Sequence, residues 1–191
     1  MKRLLFSLST SILCLFLCTD KALAQRTSNG SLFIGVCQTV PAYVIPSGGL
    51  ELHLGQYLLS SYWKASIGAI DWMQKTDTEG IVFDHLHLMA EGSYMQRVAC
   101  NYPRSFNLYA GSSAFIGYNM YEVLAPLPDE FSSGLPDGEF IYGLKPSIEI
   151  EWFLSARAAL LLGIHAPITF SSSLSTDMWH ASASFGVRIN L

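Results

Sequence analysis

The fold class this sequence predicts is all-β: an eight-stranded antiparallel up-and-down outer-membrane β-barrel that follows a cleaved signal peptide. Three observations carry the prediction. Near the end of the sequence, Phe185, Val187, Ile189 and Leu191 alternate with Ser184, Gly186, Arg188 and Asn190, which is the period of a strand with one apolar and one polar face. A soluble domain rarely leaves four large apolar side chains uncovered on a last strand, whereas lipid covers the outer face of a membrane barrel. At the other end, basic Lys2 and Arg3 precede an apolar run from Leu4 to Cys18 that only Ser and Thr interrupt, and Ala22-Leu23-Ala24 is a small-x-small cleavage site. This pattern reads as a signal peptide over 1–24, removed before Gln25, with the barrel domain over 25–191. The third observation is composition. Charged residues make up 14% of the chain, against about 25% in typical soluble domains, and the mean hydropathy is +0.31. Yet no later stretch has the roughly 18 continuous apolar residues of a membrane helix. High apolar content without a spanning helix leaves a barrel in lipid or an all-β soluble core.

The elements follow in order. Ser31 to Thr39 sets Leu32, Ile34 and Val36 against Ser31, Gly35 and Cys37, and Pro41, Pro46 and Gly48-Gly49 then mark a loop. Leu50, Leu52, Leu54 and Leu58 alternate with Glu51, His53, Gly55 and Tyr57 in a second strand, which Ser60-Ser61 turns into a third. There Trp63, Ala65, Ile67 and Ala69 oppose Lys64, Ser66 and Gly68, and the cluster from Thr76 to Gly80 is the next turn. A fourth strand, 81–96, sets Leu86, Leu88, Ala90 and Tyr94 against His85, His87, Glu91 and Ser93. A fifth, 106–121, sets Leu108, Ala110, Ala114, Ile116 and Tyr118 against Asn107, Gly111, Ser113, Gly117 and Asn119. The longest loop, 123–138, carries Pro126, Pro128, Pro136 and two glycines. Phe140, Tyr142, Leu144, Ile148, Ile150 and Trp152 face away from Lys145, Ser147, Glu149 and Glu151 in a sixth strand, and Leu154-Ser155-Ala156 is a tight turn. Ala158, Leu160, Leu162, Ile164, Ile168 and Phe170 oppose Ala159, Gly163, His165 and Thr169 in a seventh. The terminal strand is the eighth. Its pattern of polar residue, Gly186 and alternating apolar residues resembles the signal by which outer-membrane barrels are recognised for insertion, with Leu191 where an aromatic residue is usual.

An even strand number, strands of ten or more residues, and aromatics near strand ends all suit a membrane barrel; the aromatics include Trp63, Trp72, Tyr94, Tyr118, Tyr121, Phe140, Trp152, Phe170 and Trp179. Both chain ends then lie in the periplasm, with short turns at Ser60 and Leu154 on that side. Cys37 is placed toward the outer end of the first strand and Cys100 on the periplasmic side. A disulfide needs Cα atoms within about 7 Å, and the apolar layer is about 25–30 Å thick, so two free thiols are expected. Cys14 and Cys18 leave with the signal. Lipidation at Cys18 would require a small preceding residue, and Leu17 is not small.

The polar faces place Glu51, His53, Lys64, His85, His87, Glu91, Lys145, Glu149, Glu151, His165 and Arg188 on the inside. Eight-stranded barrels are filled by side chains, so these charges are expected to pair with one another. His85-x-His87 is the one metal-like spacing, since positions i and i+2 share a face, and His53 or His165 would have to complete a zinc site. The reading set against it is that these histidines belong to the polar filling, and no metal, cofactor or catalytic residue is assigned. A lipid-modifying enzyme would need a rim Ser, His and carboxylate. His180 with Asp177 and Ser182 offers only proximity, and no G-x-S-x-G motif is present. The net charge is −4 with no basic run, so direct nucleic-acid binding is not expected.

Several stretches resemble one family. Ala24-Gln25-Arg26, Ala90-Glu91-Gly92-Ser93-Tyr94, Phe140-Ile141-Tyr142-Gly143, and Glu151 with Phe153-Leu154-Ser155, Arg157 and Leu160-Leu161-Leu162 follow its order and spacing, as does the ending Gly186-Val187-Arg188-Ile189-Asn190-Leu191. The sequence is similar in these to the conjugal transfer protein TraO family of Bacteroides-type conjugative transposons. That resemblance implies a non-catalytic outer-membrane component of a DNA-transfer apparatus, with outer-membrane lipid and other conjugal transfer proteins as partners. Cys37, Cys100 and the composition of loop 123–138 depart from the family pattern. Two other readings stay open: a stand-alone barrel for adhesion or envelope integrity, with loop 123–138 as its binding loop, and the lipid-modifying enzyme.

Overall fold

The computed structural model describes residues 29–41, 48–75, 82–101, 105–123, 138–155, 157–170 and 181–191. The expected signal peptide, the long loop over 124–137, and the candidate rim residues Asp177 and His180 lie outside the described residues. Among the described residues there are nine strand segments: β1 (Leu32–Pro41), β2 (Gly48–Tyr57), β3 (Ser61–Lys75), β4 (Val82–Cys100), β5 (Phe106–Val123), β6 (Gly138–Phe153), β7 (Ala158–His165), β8 (Ile168–Thr169) and β9 (Ser182–Asn190). The pairings are antiparallel, β7 pairs with β9 and β9 with β1, so the sheet closes. β8 is a two-residue continuation of β7 on the same neighbour, β6. The seventh strand expected over 158–170 is therefore interrupted at Ala166-Pro167. Proline has no N–H to give to the ladder, and the Ala166 N–H instead reaches the Pro146 carbonyl at 3.0 Å. Counting β7 and β8 as one strand gives the eight-stranded closed barrel.

Alternation decides which face looks inward. On β6, Lys145, Ser147, Glu149 and Glu151 are buried inside, while Leu144, Ile148 and Trp152 are exposed outside. Ile34, Leu52, Leu54, Ile67, Ile116, Leu162, Ile164 and Phe185 extend the same exposed belt around the barrel. Aromatic side chains border it. Trp63, Tyr94, Phe106 and Trp152 are exposed near the end that carries the short turns, and Tyr118, Phe140, Tyr142 and Phe170 near the other end. These two ends are called the turn end and the loop end. On β6, Trp152 and Phe140 are separated by about 40 Å of extended chain, which is about 30 Å of depth at the usual strand tilt. That matches the apolar layer of a membrane.

The strand boundaries differ from expectation by a few residues. Ser61 already belongs to β3, and β4 runs on to Cys100. The register slips between Arg97 and Ala99, leaving Val98 as a bulge. Cys37 is buried in mid-wall opposite Glu51 and Gly186, and Cys100 is exposed at the turn end of β4; both are free thiols.

Candidate functional site

The lumen is where the chemistry of this chain is concentrated, and its filling is layered. The turn-end layer is built from Phe33 on β1, Tyr57 on β2, Tyr62 on β3, Met95 on β4, Tyr109 on β5, and Phe153 on β6 with Ala159 on β7. Each of these lies at the inward parity of its strand. Phe33 packs on Tyr57 with ring centroids 4.8 Å apart and meets Tyr62 edge-on at 5.6 Å. Tyr62 meets Tyr109 edge-on at 4.8 Å. Arg188 of β9 enters this layer from above. Its guanidinium carbon lies 4.1 Å from the centroid of Phe33 and 4.5 Å from that of Tyr62, an arrangement that rewards a cation between ring faces. Arg188 Nη1 bonds Glu151 Oε1 at 2.7 Å and Nη2 lies 3.4 Å from Glu149 Oε2. The Tyr57 hydroxyl donates to Glu151, and the Tyr62 hydroxyl donates to Glu149 at 2.7 Å. Arg188 and Glu151 are both fully buried, so their charges persist only because partners replace water.

The middle layer continues the ion pairs without the rings. Lys64 Nζ lies 2.5 Å from Glu149 and 3.8 Å from Glu51. Lys145 pairs with Glu91 and lies 3.7 Å from Glu51. The Ser66 hydroxyl donates to Glu91 at 2.8 Å. Beside this chain, His165 is bridged by two serines, with Nδ1 2.9 Å from Ser147 Oγ and Nε2 2.7 Å from Ser184 Oγ. Ser147 Oγ also donates to the Lys145 carbonyl at 3.1 Å, so it accepts from Nδ1–H, and Ser184 donates to Nε2. Gly163, on the same face, leaves the room for this bridge: a Cβ there would lie 2.5 Å from Ser184 Oγ.

The inward set read from sequence is therefore brought together as a network through Glu51, Lys64, Glu91, Lys145, Glu149, Glu151 and Arg188. His53 sits apart from the ion pairs, with Nδ1 4.0 Å from Cys37 Sγ. His87 packs against Phe115, ring centroids 6.4 Å apart. The His85 backbone pairs with Trp72 and Tyr121, and its side chain lies outside the described residues. Among the described residues no three His, Cys, Asp or Glu side chains form a group that could hold a metal ion. Sequence reading missed the ring layer. The sequence pattern puts Tyr57 inward, and Phe33, Tyr62, Met95, Tyr109 and Phe153 share the inward parity of their strands without a polar pattern that marks them. Parity alone would have found them.

A closed barrel with an apolar belt outside, aromatic borders and an ionic lumen is an outer-membrane β-barrel: its exterior is stable only against lipid, and the outer membrane is where closed barrels of this fold sit. Solved structures agree on the fold. Ail, the attachment invasion locus protein of Yersinia pestis, matches with a TM-score of 0.52 at 13% identity, over 86% of this chain and 100% of that one. Neisserial surface protein A matches with a TM-score of 0.53 at 8% identity, over 86% of this chain and 98% of that one. No curated protein matches the sequence. Within this class the chain belongs to the family of the conjugative transposon protein TraO, whose family model matches residues 61–191.

Proposed function

We propose that this protein is a non-catalytic outer-membrane component of a conjugation apparatus, which anchors or stabilises the outer end of the transfer channel and is not itself the conduit. The family membership supplies the setting. The observation that carries the mechanical part is the filled lumen. Arg188, Phe33, Tyr57, Tyr62, Met95 and Tyr109 are buried together across the turn end, and a DNA strand has no path through them. A barrel that conducts nothing contributes through its surfaces. Its lipid-facing wall fixes it in the membrane, and its rims are left to meet other transfer proteins. Export proceeds through a signal peptide over 1–24 that is cleaved before Gln25, and residues 25–191 form the mature domain. The buried His165 bridge has serines on both ring nitrogens, an arrangement that holds strands together and offers no carboxylate to activate a nucleophile.

The test is mating frequency from a donor in which this one gene is deleted in frame, with and without complementation. A collapse restored by the intact gene is the expected result. Unchanged transfer would move the function to adhesion or envelope integrity.

A further inference from the structure

The apolar belt is not evenly filled. Ala69 on β3 and Ala90 on β4 face outward, at positions where the neighbouring strands carry long side chains. Along one rung of the sheet, Ala69 stands between Leu50 of β2 and Leu88 of β4. Along the next rung on the same face, Ala90 stands between Ile67 of β3 and Ile116 of β5. Leu50, Ile67, Leu88 and Ile116 are all exposed on the outer wall, and the two methyl groups fall short of them. The wall therefore sinks into a groove of about 570 Å³, a volume within the range of small-molecule sites.

The groove reaches from Leu52 in the belt to Tyr118 and Phe140 at the loop-end aromatic border. On the belt side of that border, no lining side chain carries an N–H or O–H group. The border end differs. Tyr118 brings a hydroxyl to the mouth of the groove, and Gly138 on β6 makes room for it, because a Cβ there would collide with that hydroxyl. Among the described residues the Tyr118 hydroxyl has no hydrogen-bond partner. Aromatic borders mark the headgroup level. An apolar trough at hydrocarbon depth with a hydroxyl at headgroup level has the polarity profile of a lipid.

We propose that this groove holds an acyl chain of one lipid from the loop-end leaflet, with the Tyr118 hydroxyl donating to the ester carbonyl of the same lipid. The proposal rests on the barrel's place in the outer membrane and not on the role in conjugation. The groove is continuous with the belt that lipid already covers. Protein elements that associate within a membrane combine small-residue contact with hydrogen bonds between them, and the trough offers no side chain for such bonds. An acyl chain needs none.

The test uses the full mature barrel, folded into bilayer nanodiscs of a saturated phosphatidylcholine. Native mass spectrometry then counts the phosphatidylcholine that stays bound when the barrel is released. A69F/A90F fills the trough at two lipid-facing positions, where Phe is tolerated. V187F adds the same ring to the outer face of β9, on the far side of the barrel, and is the control. The expected result is a single retained lipid in the wild type and in V187F, and none in A69F/A90F. Y118F should retain it about fivefold less, the loss of one hydrogen bond. Unheated gel mobility confirms that each variant is folded. A wild type that retains no lipid, or retention that survives in the folded A69F/A90F barrel, overturns the proposal. So does a wild type released as a dimer that A69F/A90F splits, which assigns the groove to a second copy of this chain. None of these outcomes touches the mating experiment, so the two readings fail separately.

Discussion

The turn-end and middle layers of the lumen solve one problem in two ways. Both hold carboxylates away from water. At the turn end, Glu149 and Glu151 share one guanidinium that is also clasped by Phe33 and Tyr62, and two tyrosine hydroxyls complete the shell. In the middle, Glu51 and Glu91 rely on lysines, which are compact point charges, and on Ser66. Glu51 is reached by two lysines at 3.7–3.8 Å, and no one group holds the layer alone. The comparison teaches that a rigid planar cation concentrates the stability of a layer in one residue, whereas several flexible cations spread it.

The sharpest way to break that contrast is to remove one cation from each layer. Arg188→Leu leaves Glu149 with Lys64 and the Tyr62 hydroxyl and leaves Glu151 with no cation, in a layer sealed from water. Breaking a buried pair from one side costs about 3–5 kcal/mol, and the cation–ring contacts are lost with it. The expected outcome is a barrel that fails to show folded mobility on an unheated gel, or whose urea midpoint in micelles falls by that equivalent. Lys145→Met should cost less, because Glu51 keeps Lys64 and Glu91 keeps Ser66. Equal losses in the two variants would show that the layers are coupled as one unit and that the contrast is false.

The face assignment behind these layers was legible in the sequence. Strict alternation placed Glu51, Lys64, Glu91, Lys145, Glu149, Glu151, His165 and Arg188 inside, and the structure puts each of them there. Strand number and the free thiols were legible for the same reason, since period two and the thickness of a membrane are general constraints. Partner choice inside the lumen was not legible. Which carboxylate meets Arg188 depends on the stagger between β9 and β6, strands that are not neighbours in the ladder, and no residue pattern states that stagger. Tyr62 and Tyr109 were hidden by chemistry rather than by geometry, because a tyrosine on a membrane strand reads equally well as a border residue or as lumen filling. The break at Ala166-Pro167 could have been read, since a proline inside a strand pattern argues for an interruption.

The second contrast is between the two faces of one strand. Ile148 lies outside and is 53% exposed, flanked by the inward Ser147 and Glu149 on β6. Ile148→Lys puts a cation into hydrocarbon near the middle of the belt, which costs roughly 2–4 kcal/mol at the midplane. The urea midpoint in lipid micelles should drop accordingly. A loss well below 1 kcal/mol would mean that β6 does not face lipid at this depth, and would move the belt along the barrel axis.

The smallest effect belongs to the bridge that crosses from β6 through β7 to β9. His165 uses both ring nitrogens, one on Ser147 and one on Ser184. Ser184→Ala removes the donor to Nε2 and leaves that nitrogen buried without a partner, at a cost of about 1–3 kcal/mol. Ser147 has the Lys145 carbonyl as a second partner, so it survives the loss of the ring. Replacing both ends of the broken bond, as Ser184→Ala with His165→Leu, should therefore recover part of the loss, because two apolar groups in place of a hydrogen-bonded pair leave nothing unsatisfied. The double variant must lie closer to the wild type in urea midpoint than the sum of the single variants. Strict additivity would instead mean that the ring and the hydroxyl do not act on each other, and that β7 and β9 are held at this level by their backbone ladder alone.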